Sequence, residues 1–274
     1  MGIPVNVRQC GNAARLGMLL VALSALATAQ QTAFSYLRAS YYKVPAAEVA
    51  NFRKFNMEIV NKARSDALAS GTAVAWNFSE VVGWGTATPY NFVTTTGYEK
   101  PFELMAKPGE SEKVIQKLGL KLTSEDLIRQ MGRYRVRQTV SRVQGMTGDT
   151  VAPGEFLLVM YARAEPNKLG ETVLLHRNIY FPLQAERIKL GRLKGYGFTV
   201  PIIPSGADAE YDFVSWLVLK DSAAVLTYSA ALSDAEAFRK VHPDKDVNAV
   251  REMLRGTYRT VRLEVRHCLA AERK

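Results

Sequence analysis

The chain has 274 residues with 36 Lys+Arg against 26 Asp+Glu, a formal charge of +10, and is 47% hydrophobic and 23% charged. With 19 Gly, 11 Pro and 2 Cys it is a globular mixture, which excludes a collagen, a disordered tail and a disulfide-stapled mini-domain. The basic excess forms no Lys/Arg block, so nucleic acid is not an expected partner and the charge reads as solvated surface.

The first element reads as a leader. Arg8 and Arg15 accompany an apolar run from Leu16 to Leu26, followed by Ala27-Thr28-Ala29 and Gln30. Small residues at the positions that a signal peptidase reads put a cleavage after Ala29. A membrane-spanning helix needs about 20 apolar residues, and this run is too short. A signal peptide over 1–29 is therefore expected, with the mature protein exported to the periplasm or outside the cell and no longer held at a membrane. Losing Arg8 and Arg15 leaves 34 basic against 26 acidic groups, and losing Cys10 leaves Cys268 alone. No intramolecular disulfide can then form, although the compartment would permit one.

Phe34–Val44 alternates aromatic and smaller residues and predicts a strand, interrupted by Pro45. Ala46–Ser70 predicts a helix, because Val49, Phe52, Asn56, Ile59, Val60, Ala63 and Ala67 recur along one face. Gly71 stops it, as a residue tolerant of the left-handed conformation does. Thr72–Phe78 and Tyr90–Tyr98 predict two further strands across the Gly/Thr/Pro-rich stretch Gly83–Pro89. Pro101–Arg129 is polar and helical, and Tyr134–Val143 is a basic-apolar strand.

The same order returns about 120 residues later. Val143–Glu155 is Gly/Pro-rich and suits a linker. Phe156–Arg163 predicts a strand, Leu169–Leu190 a helix ending at Gly191, and Leu193–Val200 a strand whose Tyr196 and Phe198 stand where Trp76 and Phe78 stand before. A Pro204-Ser205-Gly206 turn, a strand Tyr211–Leu219, a helical stretch Ser222–Leu254 and a strand Tyr258–Cys268 complete the series. The order β-α-β-β-α-β is the split βαβ, or ferredoxin-like, unit. The expected fold is α+β: two tandem ferredoxin-like repeats, at 30–145 and 146–274, forming an intrachain pseudo-dimeric α/β barrel. Each four-stranded sheet has one face without helices, so the two aromatic faces are expected to bury against each other inside the chain. Whether this pseudo-dimer is a monomer or a homodimer in solution is left open.

The stretch QAERIKLGRLKGYGFTVPIIPSGADAEYDFVSWLVLKD, Gln184 to Asp221, and SYYKVPAAEVANF, Ser40 to Phe52, carry a family likeness. They resemble the dimeric α/β-barrel superfamily of NIPSNAP-type, stress-responsive-barrel and antibiotic-biosynthesis-monooxygenase-type domains. The resemblance implies the fold more firmly than the activity, because this fold hosts many functions.

The chain holds no GxxxxGK[ST], no GxGxxG after a strand, no HExxH and no GxSxG, so a nucleotide loop, a zinc protease and an α/β-hydrolase are not expected. His176, His242 and His267 are scattered without metal-ligand spacing. His176 falls at the shifted position of Asn56, and both lie on the apolar helical face. They are candidates for a ligand pocket, with His176 a candidate haem ligand or general base. The competing account is a core histidine held by a hydrogen bond. Trp76, Tyr196, Phe198 and Tyr211 could line the same pocket, or could be core aromatics. Glu186 and Arg187 are expected to be a solvated pair, Asp208, Glu210 and Asp212 an acidic loop, and Cys268 a small buried group. The expected function is that of a secreted barrel binding a small apolar molecule or partner, with no cofactor unless haem on His176. The resemblance implies the alternative, a monooxygenase-like enzyme, haem-dependent or cofactor-free, acting on a hydrophobic or aromatic substrate.

Overall fold

The computed structural model describes residues 34–83, 89–101, 110–117, 119, 121–204 and 209–274. The expected leader over 1–29, the Ser205-Gly206 turn and Asp208 lie outside the described residues. Eight strands form a closed antiparallel barrel in the order β1-β3-β2-β8-β5-β7-β6-β4, with β4 returning to β1. They are β1 (Tyr36–Tyr42), β2 (Ala75–Gly83), β3 (Phe92–Tyr98), β4 (Arg135–Gly148), β5 (Phe156–Ala164), β6 (Gly195–Ile203), β7 (Phe213–Leu219) and β8 (Tyr258–Arg273). β4 runs through the stretch expected to begin the linker, because it pairs with β6 as far as Gly148 opposite Gly195.

The helices lie outside the barrel. The first long helix comprises a 3-10 turn, α1 (Val49–Phe55), a π-turn (Asn56–Val60) and α2 (Asn61–Ala69). Gly71 ends it with a φ of 79°, where only glycine is unstrained. α3 (Glu110–Lys117) and α4 (Ser124–Gly132) follow, the latter started by a capping box between Thr123 and Asp126. The second long helix repeats the first one's form: α5 (Leu169–Leu175), a π-turn (His176–Tyr180) and α6 (Phe181–Lys189). The short α7 (Ser222–Leu226), α8 (Ala235–Val241) and α9 (Val247–Arg255) lead into β8.

Strand alternation sends one set of side chains inward and the other out to the helices. Inside, Leu37, Ala39 and Tyr41 stand opposite Gly97, Thr95 and Val93, and Leu157, Val159 and Tyr161 stand opposite Val218, Trp216 and Val214. Outside, Phe52 of α1 packs on Tyr42, Phe78 and Phe92 at ring separations of 5.3, 6.1 and 5.2 Å. The barrel corrects the expected face-to-face contact of two aromatic sheets. The sheets join by their edges, β2 to β8 and β4 to β6, and the aromatic faces bury under helices. Edge joining satisfies every strand's backbone groups, which face-to-face stacking would leave open. The inner face mixes Tyr41, Tyr161, Leu157 and Trp216 with small and hydroxylic residues such as Ala39, Thr95 and Thr199, because an eight-stranded barrel has little room. At Gly197 a Cβ would lie 2.1 Å from Cζ2 of Trp216, whose ring crosses the interior there.

Glu186 and Arg187 are also corrected. Both are buried: Arg187 Nε donates to Asp234 Oδ2 at 3.2 Å and its Nη2 to the Ser229 carbonyl at 2.9 Å, while Glu186 pairs with Lys240 and Lys189. Their helix position marked them as surface, but the segment between α7 and α8 covers it.

Candidate functional site

Among the described residues, two cavities concern the candidate site. The larger, about 290 Å³, lies between α2 and the outer face of β1, β3 and β4. Period-2 alternation puts Arg38, Ser40 and Tyr42 on that outer face, and helical spacing brings Val60, Ala63, Arg64 and Ala67 over them. Leu127 and Met131 of α4 close one side and Arg135 stands at the rim. The charged residues among its described lining are Arg38, Arg64 and Arg135, with no carboxylate. Arg64 Nη1 donates to Asn61 Oδ1 at 2.9 Å and its guanidinium lies 5.8 Å from the Trp76 ring. Burial, with the charge of Arg38 adding to it against opposing phenols, lowers the Arg64 pKa to about 10. Burial raises that of the Tyr98 phenol, keeping it protonated.

The smaller cavity, about 80 Å³, is inside the barrel, lined by Leu157, Val159, Val214, Trp216 and a belt of Thr95, Thr139, Ser141 and Thr199. Four tyrosines close one end. Tyr41 lies tilted against Tyr90 and Tyr161 edge-on to Tyr211, each at 4.7 Å, and the hydroxyls of Tyr41 and Tyr211 lie 3.3 Å apart. Arg137 sits over Tyr211 at 4.8 Å and Arg262 over Tyr161 at 4.2 Å, cation–π contacts strengthened by burial. Glu210 at the mouth pairs with both arginines. Beneath them Glu264 is wholly buried: it accepts from Tyr90 at 2.7 Å, Tyr161 at 3.0 Å and Arg266 Nε at 2.6 Å. Burial opposes the charge on Arg266, but Glu264 and the surrounding phenols hold it well above its ordinary pKa. Burial likewise raises Tyr90, Tyr161 and Tyr211, so these phenols serve as hydrogen-bonding groups and not as bases.

The six candidates from the sequence do not converge. His176, Tyr196 and Phe198 meet beneath the second long helix: His176 Nδ1 lies 2.5 Å from the Tyr196 hydroxyl, and its ring stacks between Phe198 at 4.0 Å and Tyr180 at 4.8 Å. Phe213 and Tyr258 fill in at 5.4 and 6.1 Å. Burial alone lowers the imidazole pKa to about 3, so it is neutral. Asn56 is buried under the first helix, donating to the Phe52 carbonyl at 3.0 Å. Trp76 packs with Leu68, Ala73 and Tyr98, and it is also among the residues that line the barrel cavity together with Tyr211. Cys268 is buried and its thiol pKa is pushed up to about 12 by burial, which leaves it no nucleophile. Glu210 and Asp212 form no acidic site, since Asp212 accepts from the Ala164 amide at 3.0 Å. Among the described residues no group of three or more His, Cys, Asp or Glu could hold a metal ion, and no helix is long and apolar enough to cross a membrane.

Haem was the one cofactor expected of His176, and the residues there do not fit it. Although Nε2 has no hydrogen-bond partner, aromatic rings occupy both faces of the imidazole and Tyr196 takes its Nδ1. A macrocycle could approach only by displacing them.

No family model matches the chain, and no curated protein does. Among solved structures, it is similar to a putative monooxygenase from Lactobacillus acidophilus NCFM, with 7% identity and a TM-score of 0.50 over 88% of this chain and 99% of that one. A putative monooxygenase from Fusobacterium nucleatum matches at 10% identity and a TM-score of 0.50, over 88% and 95% of the two chains. An anthrone oxidase-like protein matches at 10% and 0.48, over 89% and 94%. The likeness is one of fold.

Proposed function

We propose that the protein binds a small molecule with an apolar body in the cavity beneath the first long helix, and that it does so as an exported tandem of two ferredoxin-like repeats, 30–145 and 146–274, after loss of the leader 1–29. Support for the tandem comes from the strand order, in which β4-β1-β3-β2 and β8-β5-β7-β6 are the same sequence of neighbours. The pairing of β1 with β4 shifts register between Tyr41 and Tyr42, and that of β5 with β8 between Tyr161 and Ala162. The π-turns begin at Asn56 and His176, 120 positions apart, and such turns gather at functional sites.

The observation that carries the binding reading is the contrast between the two halves. Under the second long helix, His176, Tyr180, Phe198 and Tyr258 pack ring to ring. Under the first, Phe52 packs against Tyr42, Phe78, Phe92 and Tyr134, but where Val60 and Ala63 stand at the positions of Tyr180 and Leu183 a cavity of about 290 Å³ is left. A void lined by Val60, Ala63, Ala67, Leu127 and Met131 forfeits dispersion contacts that an occupant would supply. The described lining offers guanidiniums, phenols, hydroxyls and an amide, and among these described residues none is a base at neutral pH, which favours binding over the monooxygenase alternative.

N-phenyl-1-naphthylamine, an uncharged fluorescent probe, tests the reading. It should bind the full chain saturably at one site, and Ala63→Trp, which fills the cavity from α2, should abolish that binding without lowering the melting temperature. Binding that persists unchanged in a folded Ala63→Trp protein refutes the assignment.

A further inference from the structure

We infer that the barrel interior is a second binding site, for a short uncharged molecule whose single hydroxyl or carbonyl oxygen pairs with Ser141. The site is independent of the cavity beneath the first long helix. It follows from a break in the two-fold pattern of the interior. Strand register gives the halves matching positions. Arg137 and Arg262 stand opposite Tyr41 and Tyr161, Thr139 and Glu264 opposite Ala39 and Val159, and Ser141 and Arg266 opposite Leu37 and Leu157. β8 thus fills its share of the interior with the buried Glu264–Arg266 pair. β4 sends in only two short hydroxylic side chains at those levels, Thr139 and Ser141, and both line the cavity of about 80 Å³.

The lining selects the class of ligand. Ser141 is 4% exposed, and among the described residues its hydroxyl takes part in no hydrogen bond. A buried hydroxyl without a partner is costly, so an oxygen placed beside it is stabilising. The charged residues of the described lining are Arg266 and Glu272. Arg266 is matched by Glu264, and Glu272 accepts from Ser65. A charged ligand would therefore enter without a counter-charge of its own, which disfavours anions and cations alike. Leu157, Val159, Val214 and Trp216 supply the apolar wall. The volume of about 80 Å³ exceeds what one water needs and is about half of that which admits benzene in an engineered apolar cavity. It holds a chain of about three to five heavy atoms. A short-chain alcohol or ketone meets all of these conditions.

Trp216, in the wall of the cavity, reports on an occupant. In the full chain labelled with 5-fluorotryptophan, its fluorine NMR resonance, assigned with Trp216→Phe, should move saturably as 1-propanol is added. Propionate, charged and of the same length, should leave it in place. Ser141→Ala removes the hydroxyl and keeps the space. It should raise the 1-propanol concentration for half-saturation about threefold or more, the size of one hydrogen bond. With 1-chloropropane, which lacks the hydroxyl, the same substitution should change nothing. Ala63→Trp, which blocks the cavity beneath the first long helix, should leave the 1-propanol titration as in the wild type, so the two sites are read separately. A Trp216 resonance that stays in place, or drifts without saturating, overturns the proposal and leaves the cavity to ordered water only. Movement with propionate equal to that with 1-propanol overturns the uncharged class. An unchanged 1-propanol titration in Ser141→Ala overturns the role of Ser141, since the oxygen would then be held elsewhere.

Discussion

Glu264→Gln is the substitution whose cost the barrel interior defines best. Glu264 is wholly buried and Arg266 is 4% exposed, and the carboxylate receives Arg266 Nε, Tyr90 and Tyr161 within 3.0 Å. Arg262 Nε lies 3.6 Å from its second oxygen. The amide keeps the shape but removes the counter-charge of two guanidiniums, and its NH2 group faces donors. Removing one partner of a buried pair costs about 3–5 kcal/mol. In a domain of this size each kcal/mol is worth about 2–4 °C, so the melting temperature should fall by roughly 6–20 °C. Thermal unfolding followed by circular dichroism at pH 7 reads this directly. Adding Arg266→Met removes the stranded charge, so the double variant should be more stable than Glu264→Gln alone. A fall of less than about 2 °C for the single substitution, or a double variant that loses the sum of both single losses, would refute the view that the two charges neutralise each other in the buried interior.

Two other substitutions follow from the same packing. His176 takes up a proton below its ordinary 6.5 when the chain unfolds, but only near 3 when folded. Its contribution is therefore complete above about pH 6.5 and is lost as pH falls toward 3, reaching about 2–3 kcal/mol at pH 4.5. Urea unfolding of His176→Phe at pH 7 and 4.5 should show a smaller acid loss than wild type by that amount, and an identical loss would mean that the imidazole is hydrated. Gly197→Ala should destabilise by about 1–3 kcal/mol, because the Trp216 ring must leave its place across the glycine. A neutral result in urea unfolding would mean that the ring does not cross there.

The order of strands and long helices was legible because aromatic alternation, helical spacing and the left-handed glycines at 71 and 191 are local signals. Which strand face turns inward was not. Trp76 and Phe78 share one face and Asn77 and Ser79 the other, and the apolar face read as the one buried between sheets. Closure by edges reverses this for β2, giving Trp76 and Phe78 to the helices and Asn77 and Ser79 to an interior shared with Trp216 and four tyrosines. The extent of β4 was missed because Gly145 and Gly148 look like linker residues, yet at Gly145 a Cβ would meet the Phe181 ring at 2.5 Å. Of the site, Asn56 and His176 were legible as polar interruptions of an apolar face. Arg38, Arg64 and Arg135 were not, since their convergence depends on strand register and helix docking. Their one local trace is Arg38 sharing a strand face with Tyr36 and Tyr42. The tyrosine ring had a similar limit: Tyr90 and Tyr211 stood out in the sequence, but nothing local pairs them with Tyr161 and Tyr41.

A crystal structure of the full chain grown with N-phenyl-1-naphthylamine bears most directly on the ligand site. Density for the naphthalene between α2 and the outer face of β1 and β3, against Val60, Ala63 and Ala67, is the predicted result. A probe seated inside the barrel or on the outer surface, with the space beneath the first long helix unchanged, would contradict it.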